Sequence, residues 1–578
     1  MGIACSSTSI RRRLEDRLSE IDVDFTIRLV KNIAKLALLD DSYLRPSRYP
    51  GSLSLTETMK VIEEIASSMG VEIKREDYSA LCSKVHSVDL QVDGKELEAV
   101  PMLHVMKCEK ELEDRAKVGM CFVRTLEEAY AEAFRAYEEG KELVLLVGPR
   151  ILPLPLPTSK GPFPLPIVGL RKGMGAFDKL KVEVNEDNYM TSLSNLSCSA
   201  VGPEGAEYLE IVVHCDSLFY GVFESLIPTI LAIEMLSRIE DYLVNKRARL
   251  IIVGAHVYGG SHIMPYGHGL RQHLGLAKGE DPSIAIVLEG LGYGVVKLWH
   301  TPELKPILIA LSRVSGYSAF DRASSELSTA SLVMKGIPSI TIDCERPGHV
   351  LRSPEKEIEL INRTYLRNHI KILAKVMAYL LTGQVNALIR PEYLLHRLLR
   401  GYEGDSGLLE LKAYSKHIGV LIDGVSKARE ELAKGSINPL VMAKVLNPLV
   451  WGLGGSTFCK VVFLPVLRKL RDLRVLRKIA NKLSSLKVKP HPGLFKELEG
   501  GEYALRSSKY VDEVMKHPLR PSVMRLMRLL KELIKMDDRA ELLSAIREEL
   551  VLWRARIEVE IEAMKRGLMG MPHDKYLS

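Results

Sequence analysis

The chain has 578 residues, of which 46% are hydrophobic and 26% are charged, and its formal net charge is +7 at pH 7. This length exceeds what one hydrophobic core supports, and the composition is that of globular rather than disordered proteins, so we expect several folded domains. The charge is small for this length and no apolar run is long enough to cross a bilayer, so we expect neither a nucleic-acid nor a membrane partner.

The eight cysteines are scattered along the chain, and no two of them form a C-x-x-C pair. Such spacing indicates neither a disulfide framework nor a cysteine zinc site. We therefore predict reduced thiols and a cytoplasmic location.

The first part of the chain reads as helix, loop, helix and strand. DFTIRLVKNIAKLALLD has helical periodicity, and a second amphipathic helix from Leu55 to Met69 is followed by Gly70, a typical C-terminal cap. Residues 88–190 differ, because short apolar runs surround one helical pattern, TLEEAYAEAFRAYEEG. This pattern predicts a small β-rich module, with the proline-rich ILPLPLPTSKGPFPLP as a surface loop.

Residues 191–385 alternate between strand and helix patterns, which predicts an α/β domain whose sheet carries helices on both faces. YLEIVVHCDS, ARLIIVGAHV and IAIVLEGLGYG are its buried strands. His214, His256 and Glu289 fall at the ends of these strands, where α/β sheets bind ligands. Residues 386–578 read almost entirely as helices, and their charges alternate in sign as on solvated helix faces.

Three segments of the sequence together resemble a known family. They are RYPGSLSLTETMKVIEEIASSMGVEI, NLSCSAVGPEGAEYLEIVVHCDS and MKGIPSITID. With them, residues 20–385 resemble the metallopeptidase family that contains bacterial leucyl aminopeptidases, glutamate carboxypeptidase and the transferrin receptor. The resemblance implies a zinc-exopeptidase-like α/β fold with a mixed sheet and helices on both faces.

The resemblance also divides the chain into parts. Residues 1–87 and 191–385 correspond to the peptidase-like domain, and residues 88–190 look like the protease-associated domain inserted in many members. Residues 386–578 stand where the receptor and carboxypeptidase branch has its helical domain. Because helical segments there pair two chains in that branch, the resemblance implies a homodimer through the C-terminal helices.

The family's activity requires two zinc ions bridged by one carboxylate. His214 matches the histidine ligand of the first zinc site, and Asp216 matches the carboxylate that orients this histidine. Glu224 falls at the bridging position and Glu289 at the later carboxylate of the first site, although the family has the shorter Asp at both. Imidazole and carboxylate side chains, as on His214, Glu224 and Glu289, can bind zinc.

The positions of the second zinc site have changed. His256 stands where the family has its general base, and Val257, which has no donor atom, stands where a glutamate ligand is expected. Arg352 occupies the position of the final histidine ligand and Lys356 that of the final aspartate, with His349 as a displaced substitute. A two-zinc mechanism is therefore not expected.

Two hypotheses follow. In the favoured one the protein holds no metal, and the Arg352 guanidinium replaces the cation between Glu224 and Glu289, so that the cleft binds a peptide or protein ligand without cleaving it. In the alternative, one zinc ion on His214, Glu224 and Glu289 supports an exopeptidase-type hydrolase, with His256 as the base.

Four histidines crowd AHVYGGSHIMPYGHGLRQH, namely His256, His262, His268 and His273. Their spacing does not match metal ligation from one helix turn. We predict that they are loop or surface residues.

Overall fold

The computed structural model describes residues 2–393, apart from several gaps, together with Leu440 and Ala443. The gaps are residues 45, 124–128, 130–131, 134–135, 138, 149–161, 164, 172–175, 199–200, 205, 244–245, 257–266, 277–281, 316–317, 321–327, 345–356 and 384–388. Val257, Arg352 and nearly all of the predicted C-terminal helical domain lie outside the described residues. None of the described helices is long and apolar enough to cross a membrane.

The described elements alternate along the chain as the sequence predicts for the α/β part. The helices are α1 Gly2–Ser19, α2 Val23–Ala34, α3 Leu53–Ser68, α4 Ile227–Ile239, α5 His268–Leu276, α6 Lys305–Ser315, α7 Ser328–Met334 and α8 Arg363–Thr382. The strands are β1 Ser47–Arg48, β2 Ile73–Val92, β3 Lys95–Leu97, β4 Ala99–Pro101, β5 Cys108–Leu112, β6 Val118–Phe122, β7 Leu143–Val147, β8 Ile167–Leu170, β9 Leu180–Cys198, β10 Tyr208–His214, β11 Ser217–Leu218, β12 Arg247–Val253, β13 Ile284–Leu288, β14 Val296–His300, β15 Ser318–Phe320 and β16 Ser339–Cys344.

The main sheet of the described chain has the order β15-β14-β16-β13-β10-β12-β9-β2-β3, with β5 added beside β9. Its centre is parallel, because β10 pairs in parallel with both β12 and β13, and β13 pairs in parallel with β16. The pairs β12–β9, β9–β2 and β14–β16 are antiparallel. The predicted mixed sheet is therefore confirmed.

Both faces of the main sheet are covered by helices. Ile211 and Val213 of β10 face the larger core, where the apolar α4 packs together with α1, α2 and α8. Val212 points to the opposite face, where it packs with Leu270 of α5 and Leu332 of α7. Since side chains alternate along a strand, this pattern shows a strand buried from both sides, as the continuous apolar run YLEIVVH predicts.

A second sheet, of order β4-β8-β7-β6, lies within the span predicted as an insertion. It is joined to the main sheet by a long antiparallel ribbon, in which β2 and β9 pair from Ile73 and Cys198 to Val92 and Leu180. The predicted domain boundaries, after residues 87 and 190, both fall inside these two strands. Those boundaries, and the identity of the insertion as a protease-associated domain, stay predictions.

The ribbon buries opposite faces along its length. Near the main sheet, Tyr78, Ala80 and Cys82 are buried in a small cluster with Leu193 and Ala255. Farther along, Val85, Val88 and Leu90 are buried in the core of the second sheet. The change of face is accompanied by a β-bulge between Val85 and Ser87. The bulge keeps the later apolar residues in one core, because an extra residue shifts the alternation of side chains.

Candidate functional site

The parallel strands bring three predicted residues to one edge of the main sheet. His214 is the last residue of β10 and is aligned with Val253, the last residue of β12. His256 follows β12 by three residues, and Glu289 directly follows β13. The carboxyl ends of neighbouring parallel strands form the usual ligand site of such sheets.

Asp216 connects the first two strand ends. The Nδ1 atom of His214 lies 2.9 Å from the backbone oxygen of Asp216 and 3.3 Å from its Oδ1 atom. The other carboxylate oxygen, Oδ2, accepts the backbone N–H of His256 at 2.9 Å. Asp216 is fully buried, so it fixes the ring of His214 and the start of the following loop at once. The role predicted for Asp216, to orient His214 as a metal ligand, stays a prediction.

His256 faces Glu289 rather than solvent. Its Nε2 atom lies 3.7 Å from the Oε1 atom of Glu289, and its side chain is 2% exposed while that of Glu289 is 12% exposed. The His256 ring also packs against the His214 ring, with 4.6 Å between ring centroids. At 3.7 Å the Nε2 and Oε1 atoms are too far apart for a hydrogen bond.

Glu224 and Glu289 both act electrostatically on His214. Burial lowers the pKa of His214, but the hydrogen bond and charge of Asp216 and the charges of Glu224 and Glu289 together raise it above the usual value. The imidazolium form is favoured because an adjacent carboxylate stabilises a positive charge. The structure thus brings together five residues, which we call the His214 cluster: His214, Asp216, Glu224, His256 and Glu289.

Glu224 lies in a single π-helical turn, Val222–Leu226, which leads into α4. The turn begins after Gly221, whose φ of 54° is left-handed. A Cβ atom on Gly221 would lie 2.3 Å from the Cβ of Ser217 and 2.6 Å from Nη2 of Arg48. Glycine is therefore required here to let the chain pass close to these groups and present Glu224.

Arg48 is a structural member of the site that sequence reasoning did not single out. It is fully buried, donates from Nε to the Cys215 oxygen at 3.0 Å and from Nη2 to the Ser225 hydroxyl at 2.7 Å, and also bonds the Tyr220 oxygen. Burial lowers its pKa to about 10, against the opposing effect of nearby acidic groups that include Glu224. The sequence signal for Arg48 was its place in the segment RYPGS. Arg48 is the last residue of β1, which pairs with β11.

Glu357 supports the same turn from the far end of the sequence. Its Oε2 atom accepts the Val222 N–H at 3.1 Å, and the residue is 6% exposed. A carboxylate at the start of a helical turn stabilises the free N–H groups there. It directly follows Lys356, which lies outside the described residues, as do Arg352, His349 and Val257.

The prediction that the histidine-rich segment is loop or surface is wrong for His268 and His273, which lie in α5 and are 1% and 2% exposed. His256 lies in the loop after β12, where it is buried. Nε2 of His268 lies 3.2 Å from the Ser79 oxygen, and Nδ1 of His273 lies 2.8 Å from a Glu76 oxygen. The spacing of the histidines did not indicate this burial, because the burial arises from the packing of the short helix α5 against the main sheet and the ribbon. His262 lies outside the described residues.

A metal ion on the predicted ligands requires three donors to reach one point. Within the part of the chain that the structure describes, no three side chains of His, Cys, Asp or Glu meet this condition. Of the proposed donors, Glu289 is directed at His256, and His214 uses Nδ1 for Asp216. The zinc ion on His214, Glu224 and Glu289 stays a prediction.

Several solved structures of peptidases align with this chain. An aminopeptidase from Aneurinibacillus sp. strain AM-1 aligns with 63% of this chain and 95% of its own length, with a TM-score of 0.50 and 13% sequence identity. BSAP, a zinc aminopeptidase from Bacillus subtilis, covers 62% of this chain and 94% of its own, with a TM-score of 0.46 and 12% identity. A peptidase M28 precursor from Shewanella amazonensis SB2B covers 63% and 98%, with a TM-score of 0.46 and 14% identity.

The similarity to the first of these structures shows that the chain has an aminopeptidase-type α/β fold. No protein-family model matches the sequence, and no curated protein matches it either. The similarity in structure confirms the α/β fold class predicted from the sequence, although the sequence identity is low. What the cleft does depends on its own residues.

Proposed function

We propose that this is a metallopeptidase-like protein that uses the aminopeptidase fold to bind a peptide or protein ligand, without a two-zinc centre. The pairing of His256 with Glu289, 3.7 Å between Nε2 and Oε1, carries this proposal. In the family that the sequence resembles, the first position holds the general base and the second a zinc ligand. Here the imidazole stands beside the carboxylate where a metal ion is expected.

The charges of the cluster support the same reading. The charges of Asp216, Glu224 and Glu289 raise the pKa of His214 against burial. In its protonated form this imidazole offsets carboxylate charge that a metal ion offsets in an active enzyme. The sequence adds Val257 and Arg352 at the remaining ligand positions, which removes one donor and adds a permanent cation.

The test is the metal content and activity of the full-length protein, purified without chelators. We expect less than one equivalent of metal per chain by mass spectrometry, and no cleavage of aminoacyl anilides or short peptides with added zinc, cobalt or manganese. His300→Gln is the matched control for His214→Ala, because His300 is equally buried at the end of β14 with Nδ1 2.9 Å from the Thr301 oxygen. Two bound zinc ions, with an activity lost in His214→Ala and kept in the control, would overturn the proposal.

The second candidate is an exopeptidase-type hydrolase with one zinc ion, and the orientation of His214 favours it. Because Asp216 holds the Nδ1 atom of His214, the Nε2 atom is left for another partner, as in many metal-ligating histidines. His214, Glu224 and Glu289 would hold the ion, which would lower the pKa of a bound water molecule, and His256 would act as the base. One equivalent of zinc with a peptidase activity lost in both Glu289→Gln and His256→Ala is the result that selects this candidate.

A further inference from the structure

His369, on α8, binds the loop that follows Glu289. Its Nδ1 atom accepts the Gly292 N–H at 3.0 Å, and its Nε2–H group donates to the Gly294 oxygen at 3.0 Å. The residue is 2% exposed. Only a neutral imidazole with its proton on Nε2 satisfies both contacts, since both nitrogens of the protonated ring are donors.

The surroundings of His369 favour this neutral form. Burial lowers the pKa of the imidazole, while the bond to the Gly294 oxygen opposes this effect. The ring of Tyr365, one turn earlier on α8, lies 6.3 Å away between centroids, and Tyr293 of the loop lies 5.5 Å from Tyr365. These two neighbours are aromatic, and the loop is held by an uncharged acceptor and donor pair.

The same loop is bound to the turn that carries Glu224. The Leu291 N–H donates to the Phe223 oxygen at 2.9 Å. Gly292 has a φ of 97°, and a Cβ atom there would lie 2.6 Å from Cδ1 of Ile227. The loop therefore lies directly against the turn and the start of α4, with no room for a side chain.

The geometry points to His369 as a positioning residue: the neutral imidazole holds the 289–294 loop against the 222–226 turn and so sets the spacing between Glu289 and Glu224. This inference deepens the proposed function and rests on it for the role of the cleft. It concerns only how the two carboxylates are held, so a protein that proved to bind zinc would overturn the proposed function and leave this inference intact.

The test is amide hydrogen exchange of the full-length protein and three variants, expressed as protection factors. His369→Leu removes both hydrogen bonds at similar volume, and His369→Gln can accept and donate without titrating. Thr382→Val is the matched control, because its hydroxyl bonds the Ala378 oxygen within the same helix at 2.6 Å and does not contact the loop. We expect His369→Leu to lower protection about tenfold at both 289–294 and 222–226, because a hydrogen bond lost at a locally opening segment changes its opening equilibrium by this order.

The pH dependence separates positioning from packing. As the pH falls through the pKa of His369, the wild-type protein should lose protection at both segments, whereas His369→Gln should keep protection at all pH values tested. Unchanged protection at 222–226 in His369→Leu would overturn the inference. So would a uniform loss through α8 and β10, or the same pH profile in wild type and His369→Gln. If His369→Leu fails to fold, the wild-type profile and the glutamine variant still decide the matter.

Discussion

Two groups of charged residues share one face of β10 and differ in the lengths of their side-chain contacts. The His214 cluster lies at the carboxyl end of the strand. The second group, which we call the Glu210 network, consists of Glu76, Tyr208, Glu210, Arg249 and His273 and lies near the start of the strand. Glu210 and His214 point to the same face of the strand because they are four residues apart. Val212 lies between them on that face, in an apolar cluster.

The Glu210 network is closely paired. Arg249 donates to both oxygens of Glu210, from Nε at 3.0 Å to Oε1 and from Nη2 at 2.6 Å to Oε2, and it also donates to the Tyr208 hydroxyl at 3.0 Å. His273 lies 2.8 Å from Glu76. The two histidine–carboxylate contacts of the His214 cluster measure 3.3 and 3.7 Å. One strand thus holds two groups of charged residues whose side-chain contacts differ in length.

The largest expected effect comes from breaking the Glu210 network. Arg249→Met leaves Glu210, which is fully buried, without its bidentate partner. We expect the free energy of unfolding to fall by about 3–5 kcal/mol, the usual cost of leaving a buried charge uncompensated. Urea unfolding measures it.

The control for Arg249→Met is Arg75→Met. Arg75 pairs with Glu63 at 2.5 Å, but the two side chains are 40% and 28% exposed. We expect a loss of at most about 1 kcal/mol there. Equal losses in the two variants would contradict the distinction drawn between a buried network and a surface pair.

A smaller effect should appear in the pH dependence of stability. Burial lowers the pKa of His273, but its hydrogen bonds to Glu210 and Glu76 raise it to about 9. Because the folded pKa lies above the unfolded value of about 6.5, the contribution of His273 is complete below about pH 6.5 and is lost as the pH rises through about 9.

His273→Gln should flatten this part of the profile. Urea midpoints measured from about pH 6.5 to about pH 9.5 should fall in the wild type and change less in the variant. Other groups that titrate in this window are common to both proteins, so the difference isolates His273. Parallel profiles would show that His273 adds no stability through its charge.

The smallest effect should come from the His214 cluster. Glu289→Gln removes the charge from a side chain whose contact with His256, 3.7 Å between Oε1 and Nε2, is too long for a hydrogen bond. We expect the free energy of unfolding to change by less than about 1 kcal/mol, measured under the same conditions as Arg249→Met, because no hydrogen bond to His256 is lost. A cost as large as that of Arg249→Met would mean that both groups stabilise the fold, and the comparison between them would fail.

The fold was predictable because its central strands are long apolar runs followed by polar residues. YLEIVVH and RARLIIV form β10 and β12, and the strand-end positions of His214 and Glu289 follow from the same pattern. The Glu210 network was not predictable. Glu210 and Arg249 look like isolated charges in two separate strands, and only the register that aligns Glu210 with Arg249 pairs them.

The supports of the site were missed for a related reason. Arg48 and His369 lie far from His214 in sequence and bond mainly to backbone oxygens and N–H groups, so their side-chain types do not reveal their partners. The ribbon was also missed, because the polar residues in the middle of β9 hide the continuity of this long strand. Sequence patterns report burial, whereas these contacts depend on three-dimensional register.

The bulge in the ribbon limits which length changes the chain can accept. His86 is the extra residue between Val85, opposite Glu186, and Ser87, opposite Asn185. Deleting His86 would restore a regular ladder and leave Val88 in phase with Val85. Deleting Asp89 instead would turn Leu90 from the core to the outside, since a one-residue slip inverts every later side chain. The alternation of side chains therefore links the two cores. Whether the ribbon tolerates an insertion or deletion depends on its position rather than on its size.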